Sequence, residues 1–475
     1  MSATTLQCDY LIVGSGAVGM AFADTLFSET DASIVMVDRF AKPGGHWNKA
    51  YPFVTLHQPS QFYGVSSEEL SSGLRDEVGL NKGLWDLASG AEVSAYFDRV
   101  MRHRFLPSGR VQYFPLCEYL GDGSFRSVLT GEEYVVDAKR HVDATYLKTT
   151  VPSTHKPSFT VAPDARFIPI NGLVDVEQTP DDFVVIGGGK TGIDACLWLL
   201  EQGVAPEKIR WIVSRDAWLL DRQNTQPSMD FFDSMVGTVA RQFEAAAAAE
   251  SVPDLFNRLE QAGVLLRLDP NVTPQMFHGA TVSRAEVEAL RQIKNVIRLG
   301  HVTAVEADRI VLEQGEIPCS ANTLHVDCSA SAITNLETKT VFEGKLITPQ
   351  TVRPYQPVFS AALMAHVEAA YEDQAEKNEL CSVVPLPNHD TDWIRMLAAQ
   401  MMNQYRWSQD KALGKWLLEN RLDAGSSMVK AVDKNDAEKI SILNRVREAS
   451  VPAVTNLMKL IESIDAAEQQ SSATA

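Results

Sequence analysis

One glycine-rich pattern occurs twice in this chain and restricts its fold more than any other feature. Gly14-Ser15-Gly16-Ala17-Val18-Gly19 follows an apolar run ending at Val13 and opens helical spacing from Val18 to Phe27. Gly187-Gly188-Gly189-Lys190-Thr191-Gly192 follows the apolar Phe183 to Ile186 and opens Ile193 to Leu200. In such a strand–turn–helix unit the first glycine permits the tight turn and the second lets backbone approach a pyrophosphate. The third lets the helix pack against the strand. The helix N-terminus offers free N–H groups and a positive dipole end to the phosphates. The expected fold class is therefore α/β, with two Rossmann-like dinucleotide-binding domains.

The residues after each fingerprint tell the two apart. Asp38 ends the strand Ser33 to Val37, 19 residues past Gly19. There a carboxylate accepts hydrogen bonds from an adenosine ribose, although an ordinary surface carboxylate is the alternative. Arg39 beside it joins the candidate cofactor-binding residues. The second unit's strand, Ile209 to Val213, ends at Ser214-Arg215 instead of an acid. A hydroxyl and a guanidinium suit the 2′-phosphate of NADPH, against the alternative of a solvated arginine. Gly187, Gly189, Thr191 and Gly192 form the second cradle. Lys190 either contacts phosphate or is simply exposed. With two such sites in one chain, the economical chemistry is hydride transfer from a nicotinamide to an isoalloxazine, which assigns FAD to the first site and NADPH to the second.

The remaining pattern divides the chain. Residues 1–160 read as the first part of the FAD domain and 161–335 as the NADPH domain, with a helical insertion at about 228–297. Residues 336–465 return to the FAD domain and add helices, and 466–475, small and polar, read as a flexible tail. A formal net charge of -18 disfavours nucleic acid and anionic membrane surfaces. No stretch approaches the ~20 apolar residues of a membrane span. The six cysteines are scattered without a CxxC pair, which suits a reducing cytoplasm and argues against a dithiol reductase. No HExxH or Cys/His cluster suggests a metal site. Trp393, Trp407 and Trp416 serve either the core or a homodimer contact.

The order of these motifs resembles the class B flavin monooxygenases, which comprise flavin-containing monooxygenases, Baeyer–Villiger enzymes and N-hydroxylases. The matching residues are Gly14, Gly16, Gly19 and Asp38, then Gly44-Gly45-His46-Trp47 with Tyr51-Pro52, Ala144-Thr145-Tyr146, and the second fingerprint continuing into Ile193-Asp194-Ala195. The likeness covers roughly residues 8–60 and 140–220. It departs at Ser158 to Pro163, where the Baeyer–Villiger fingerprint FxGxxxHxxxWP is absent, and at Asp327 to Ser331, where a Thr-Gly is missing.

The resemblance implies an NADPH-using monooxygenase in which FAD forms a C4a-(hydro)peroxyflavin with O2. Such an enzyme oxygenates a small or medium organic substrate at N, S or a carbonyl. It also places Gly45 and Trp47 at the cofactor and the loop Leu56 to Tyr63 beside the flavin ring. His57 and Gln58 are then the candidate catalytic residues, hydrogen-bonding near the flavin. For His57 the alternative is a structural histidine bonded to backbone, and for Trp47 a core aromatic instead of a lid. Two rival functions stay open: a flavin dehydrogenase or oxidase without oxygen transfer, and a nucleotide-binding redox sensor without catalysis.

Overall fold

The structure is a computed structural model and describes residues 3–331 and 336–474. The first unit is built on β1 (Thr4–Val13), α1 (Ala17–Glu29), β2 (Ile34–Val37), α2 (Gly90–Val100) and β3 (Val111–Phe114). An antiparallel meander follows, β4 (Cys117–Gly121), β5 (Ser124–Ser127) and β6 (Glu133–Asp143). Leu11 and Ile12 are adjacent on β1 and both fully buried, because a central parallel strand is covered on both faces.

The second unit holds β7 (Phe167–Pro169), β8 (Phe183–Ile186), α3 (Lys190–Glu201) and β9 (Ile209–Ile212). After a long excursion containing α4 (Thr238–Ala248) and α5 (Val252–Gln261) come α6 (Arg284–Leu290), β10 (Asn295–Ile297) and β11 (Leu324–Asp327). Its strands run parallel in the order β7-β11-β8-β9-β10.

The chain then returns to the first unit through β12 (Phe342–Glu343) and β13 (Leu346–Ile347), and β13 pairs parallel with β6. The first sheet thus runs β12-β13-β6-β1-β2-β3. Helix α7 (Pro357–Ala370) is apolar on all sides and packs on α1, sandwiched in the first core. The last helices are α8 (Gln374–Leu380), α9 (Asp390–Gln409), α10 (Lys411–Glu419), α11 (Ala424–Lys430) and α12 (Ala437–Thr474). Apolar faces of α4, α5, α9 and α12 form a third core around Phe256, Trp393 and Leu457. The parallel strands at the centre of each sheet, covered by helices on one face, meet the α/β expectation, and among the described residues no helix is long and apolar enough to cross a membrane.

Two details differ from the sequence reading, and a third decides between its alternatives. Within 228–297, helix α6 packs against α3 and β10 joins the parallel sheet, so this stretch closes the nucleotide unit as well as carrying helices. Residues 466–474 continue α12 instead of fraying, although their composition is polar. Trp393 and Trp407 are buried in the cores, and Trp416 is partly buried, stacking on His366 with its indole N–H donated to Glu29 at 2.7 Å. Burial leaves Trp393 and Trp407 to the core alternative.

Candidate functional site

The two glycine turns have the same geometry. Gly14 has φ of 98° and Gly187 has φ of 135°, both in the region that glycine alone enters freely. A Cβ on Gly19 would lie 1.9 Å from the Gly14 carbonyl oxygen, and one on Gly192 would lie 1.9 Å from that of Gly187. The third glycine of each turn is therefore a steric requirement of the close helix–strand approach. α2, α5 and α6 begin on serine side-chain caps, whereas α1 and α3 begin at Gly16 and Gly189 with no side-chain cap. Their first-turn N–H groups are left for an external acceptor. No atom lies within 4 Å of where a Cβ on Gly189 would stand, so the second turn is open to an approaching group at this glycine. Thr191 and Ser214 are half-buried at its rim.

Over the first cradle, Gly45 approaches closely. A Cβ on it would meet the Gly16 Cα at 2.9 Å, and the Gly44 N–H donates to the Ser15 carbonyl at 2.8 Å. Asp38 is 6% exposed and ties the turn together. Its Oδ2 accepts from the Ser15 N–H at 2.5 Å and the Ser15 hydroxyl at 2.7 Å, and its Oδ1 accepts from the Phe40 N–H at 2.8 Å. A carboxylate offers about four lone-pair positions, so roughly one remains for a ribose hydroxyl. Arg39 is exposed, its guanidinium 4.9 Å from the Phe40 ring centroid. A cavity of about 460 Å³ opens at the C-terminal ends of β6 and β13, lined by Tyr146, Leu147, Gln350, Thr351, Val384 and Leu386. It adjoins Thr145, whose methyl would lie 2.9 Å from a Cβ on Gly14. Bare helix starts, glycine-floored cradles and a cavity at the carboxyl ends of parallel strands fit a dinucleotide at each turn.

The segment from Gly45 to Tyr63 joins the two units. Trp47 packs against both of their cores, stacks on His46 and donates its indole N–H to the Tyr63 hydroxyl at 2.8 Å. Tyr51, buried in the second unit's core, donates its hydroxyl to Asp194 on α3 at 2.5 Å. Asp194 also pairs with Lys190, one turn earlier on the same helix. The structure thus holds Lys190 against a carboxylate at 10% side-chain exposure, not free in solvent.

His57 stands half-buried on this loop. Burial and the neighbouring Lys190 and Arg222 cations push its pKa down to about 3, against the opposing pull of Asp194. Its imidazole is neutral at ordinary pH. Gln58, next to it, is also half-buried.

Two arginines that no sequence signal marked hold this loop. Arg222 is 1% exposed and donates to the His57 carbonyl at 2.9 Å, to Asn81 Oδ1 at 3.1 Å and to both Glu286 oxygens at 2.9 and 3.0 Å. Arg421 donates to the carbonyls of Gln61, Tyr63 and Val65. Both act from elements remote in sequence. The Tyr51–Asp194 pair, by contrast, lies inside motifs visible in the sequence and escaped notice only as a contact.

Beside the second cradle, the Arg215 carbonyl would lie 3.4 Å from a Cβ on Gly188. Its guanidinium donates to Asn388 Oδ1 at 3.0 Å, and His278 Nε2 lies 2.9 Å from the same oxygen. Neighbouring Asp216 is occupied by Arg298 at 2.8 and 3.0 Å.

No protein-family model matches the chain. Among solved structures it is similar to cyclohexanone-bound cyclohexanone monooxygenase, with TM-score 0.49, 14% identity and coverage of 77% of this chain and 86% of that one. It is also similar to a flavin monooxygenase mutant from Stenotrophomonas maltophilia, with TM-score 0.44, 13% identity and coverage of 78% and 100%. The bacillithiol disulfide reductase of Staphylococcus aureus gives TM-score 0.44, 11% identity and the same coverage. At such identities nothing about chemistry is carried over from them. In sequence, the chain is similar to the uncharacterized proteins Rv2000 of Mycobacterium tuberculosis and Mb2023 of Mycobacterium bovis. With each it shares 45% identity over 469 residues, which is 98% of this chain and 87% of the relative. The chain belongs to the family of these mycobacterial proteins.

Proposed function

We propose that this protein is an FAD-dependent, NADPH-consuming monooxygenase that oxygenates a small or medium organic substrate at nitrogen, sulfur or a carbonyl carbon. One observation carries the reading: the loop that follows the first cradle is hydrogen-bonded, through Tyr51 and Asp194, into the helix that opens the second. Both cradles therefore share one loop, as a hydride relay between two cofactors requires. When bound, NADPH supplies the hydride, and FAD accepts it and activates O2.

Gly14, Gly16 and Gly19 with the start of α1 would hold the FAD pyrophosphate. Asp38 keeps the turn rigid and gives its remaining acceptor position to the ribose. Gly45 and Trp47 cover this side. Gly187, Gly189, Thr191 and Gly192 with the start of α3 would hold the NADPH pyrophosphate, and Ser214 and Arg215 its 2′-phosphate. Lys190 acts through Asp194, setting the Tyr51 latch. His57 donates or accepts a hydrogen bond without bringing a charge, and Gln58 adds an amide. Trp47 and Tyr63 exclude water.

The test is direct. The purified protein is expected to show a flavin absorption spectrum and anaerobic bleaching by NADPH in preference to NADH. On aeration with a panel of amines, thioethers and ketones, ¹⁸O from O2 is expected in the product. NADPH reduction with no label incorporated in any product supports a dehydrogenase or oxidase instead. Absence of flavin after reconstitution overturns the reading.

A further inference from the structure

We propose that His278, contributed by the excursion between β9 and α6, is a specificity-determining residue that joins Arg215 in binding the nucleotide 2′-phosphate. Asn388 brings the two donors together at one oxygen. This rests on the second cradle being an NADP(H) site.

Arg215 and His278 converge on one oxygen, Asn388 Oδ1, at 3.0 and 2.9 Å. An amide oxygen only accepts, so His278 bears its proton on Nε2 and donates. Burial, with Arg215 and His389 nearby, lowers the His278 pKa, while the Asn388 bond and Asp392 raise it. The ring is a neutral donor at ordinary pH. Two donors aimed at a single neutral oxygen describe what a phosphate oxygen would find there. The dianion would bind the same N–H groups with charge-assisted bonds, which are roughly twice as strong.

The surroundings favour an anion. Arg215 has no carboxylate partner among the described residues. The nearest acid in sequence, Asp216, is neutralised by a bidentate pair with Arg298. Asp392 is engaged by the backbone N–H groups of Asn388 and His389 at 2.9 and 2.8 Å. This anchors the Asn388 backbone, while its side-chain oxygen meets only Arg215 and His278 among the described residues. Arg215, His278 and Asn388 are each only half-buried, so the cluster can be reached from solvent. The Arg215 backbone abuts Gly188 of the cradle, which places the cluster beside the dinucleotide and outside the pyrophosphate position.

The experiment measures binding of NADP+ and NAD+ to the full-length protein by calorimetry, so turnover is not the readout. Wild type is expected to prefer NADP+. His278→Ala is expected to weaken NADP+ on the order of tenfold, from loss of one hydrogen bond to a charged group, with NAD+ within about twofold of wild type. His278→Gln keeps a donor and is expected to recover part of the loss. A wild type without preference overturns the NADP(H) reading itself. A preference that falls with Arg215→Ala but survives His278→Ala overturns the role of His278 alone. Equal loss of NADP+ and NAD+ in both His278 variants also overturns it, since that is the signature of packing.

Discussion

Arg222 places a cation in the interior with 1% exposure, and its partner Glu286 is 8% exposed. Replacing Arg222 by Met keeps the volume but strands the Glu286 carboxylate. Removing one partner of a buried pair costs about 3–5 kcal/mol, because the remaining charge is uncompensated. The double variant Arg222→Met/Glu286→Gln removes that charge. Glutamine also preserves the capping box in which Glu286 accepts from the Ser283 N–H at 2.6 Å. What remains lost are the bonds to the His57 carbonyl, Asn81 and the Thr281 carbonyl, about 1 kcal/mol each. The double variant is therefore expected to recover up to about 2 kcal/mol over the single one. Urea unfolding followed by the protein's tryptophan fluorescence reads the difference. Equal destabilisation of the single and double variants would refute the stranded charge as the cause. The same double variant should still weaken the site, because nothing then holds the His57 carbonyl.

Gly192→Ala forces a methyl to within 1.9 Å of the Gly187 carbonyl oxygen, so it should abolish NADP+ binding in calorimetry while leaving bound flavin in the spectrum. Asp194→Asn releases Lys190 toward the cradle phosphates and should tighten NADP+ severalfold by calorimetry; weaker or unchanged binding refutes that Asp194 restrains the lysine. His57 has a folded pKa of about 3 against about 6.5 unfolded, so below pH 6.5 the unfolded state binds the extra proton. Stability should fall by up to about 1.4 kcal/mol per pH unit from 6.5 toward 3, and His57→Gln should flatten that slope in urea titrations at pH 7 and pH 5.

Both cradles were legible because each is enforced by contacts a few residues apart: Gly14 with Gly19, and Gly187 with Gly192. The partners of Lys190 were not, because Tyr51 lies on a loop of the other unit and no local pattern announces its hydroxyl bond to Asp194. β10, at three residues, is too short to show periodicity, so its place in the sheet emerged only from pairing with β9. Asp38 stood where a ribose acid stands, but its engagement by Ser15 and Phe40 depends on backbone directions that composition does not encode. Arg222 and Arg421 look like any surface arginine in the sequence, since long-range packing alone decides their burial. His278 and Asn388 meet Arg215 only through folding of the excursion and the segment before α9.

The pairing of α4 with α12 has a consequence for biosynthesis. Phe243 and Ala246 of α4 share a core with Ala453 and Leu457 of α12, about 200 residues later. At about 5–20 residues per second, a ribosome takes roughly 10–40 s to cover that distance. During that interval the apolar face of α4 leaves the exit tunnel without its final partner, an exposed surface that invites chaperones and aggregation alike.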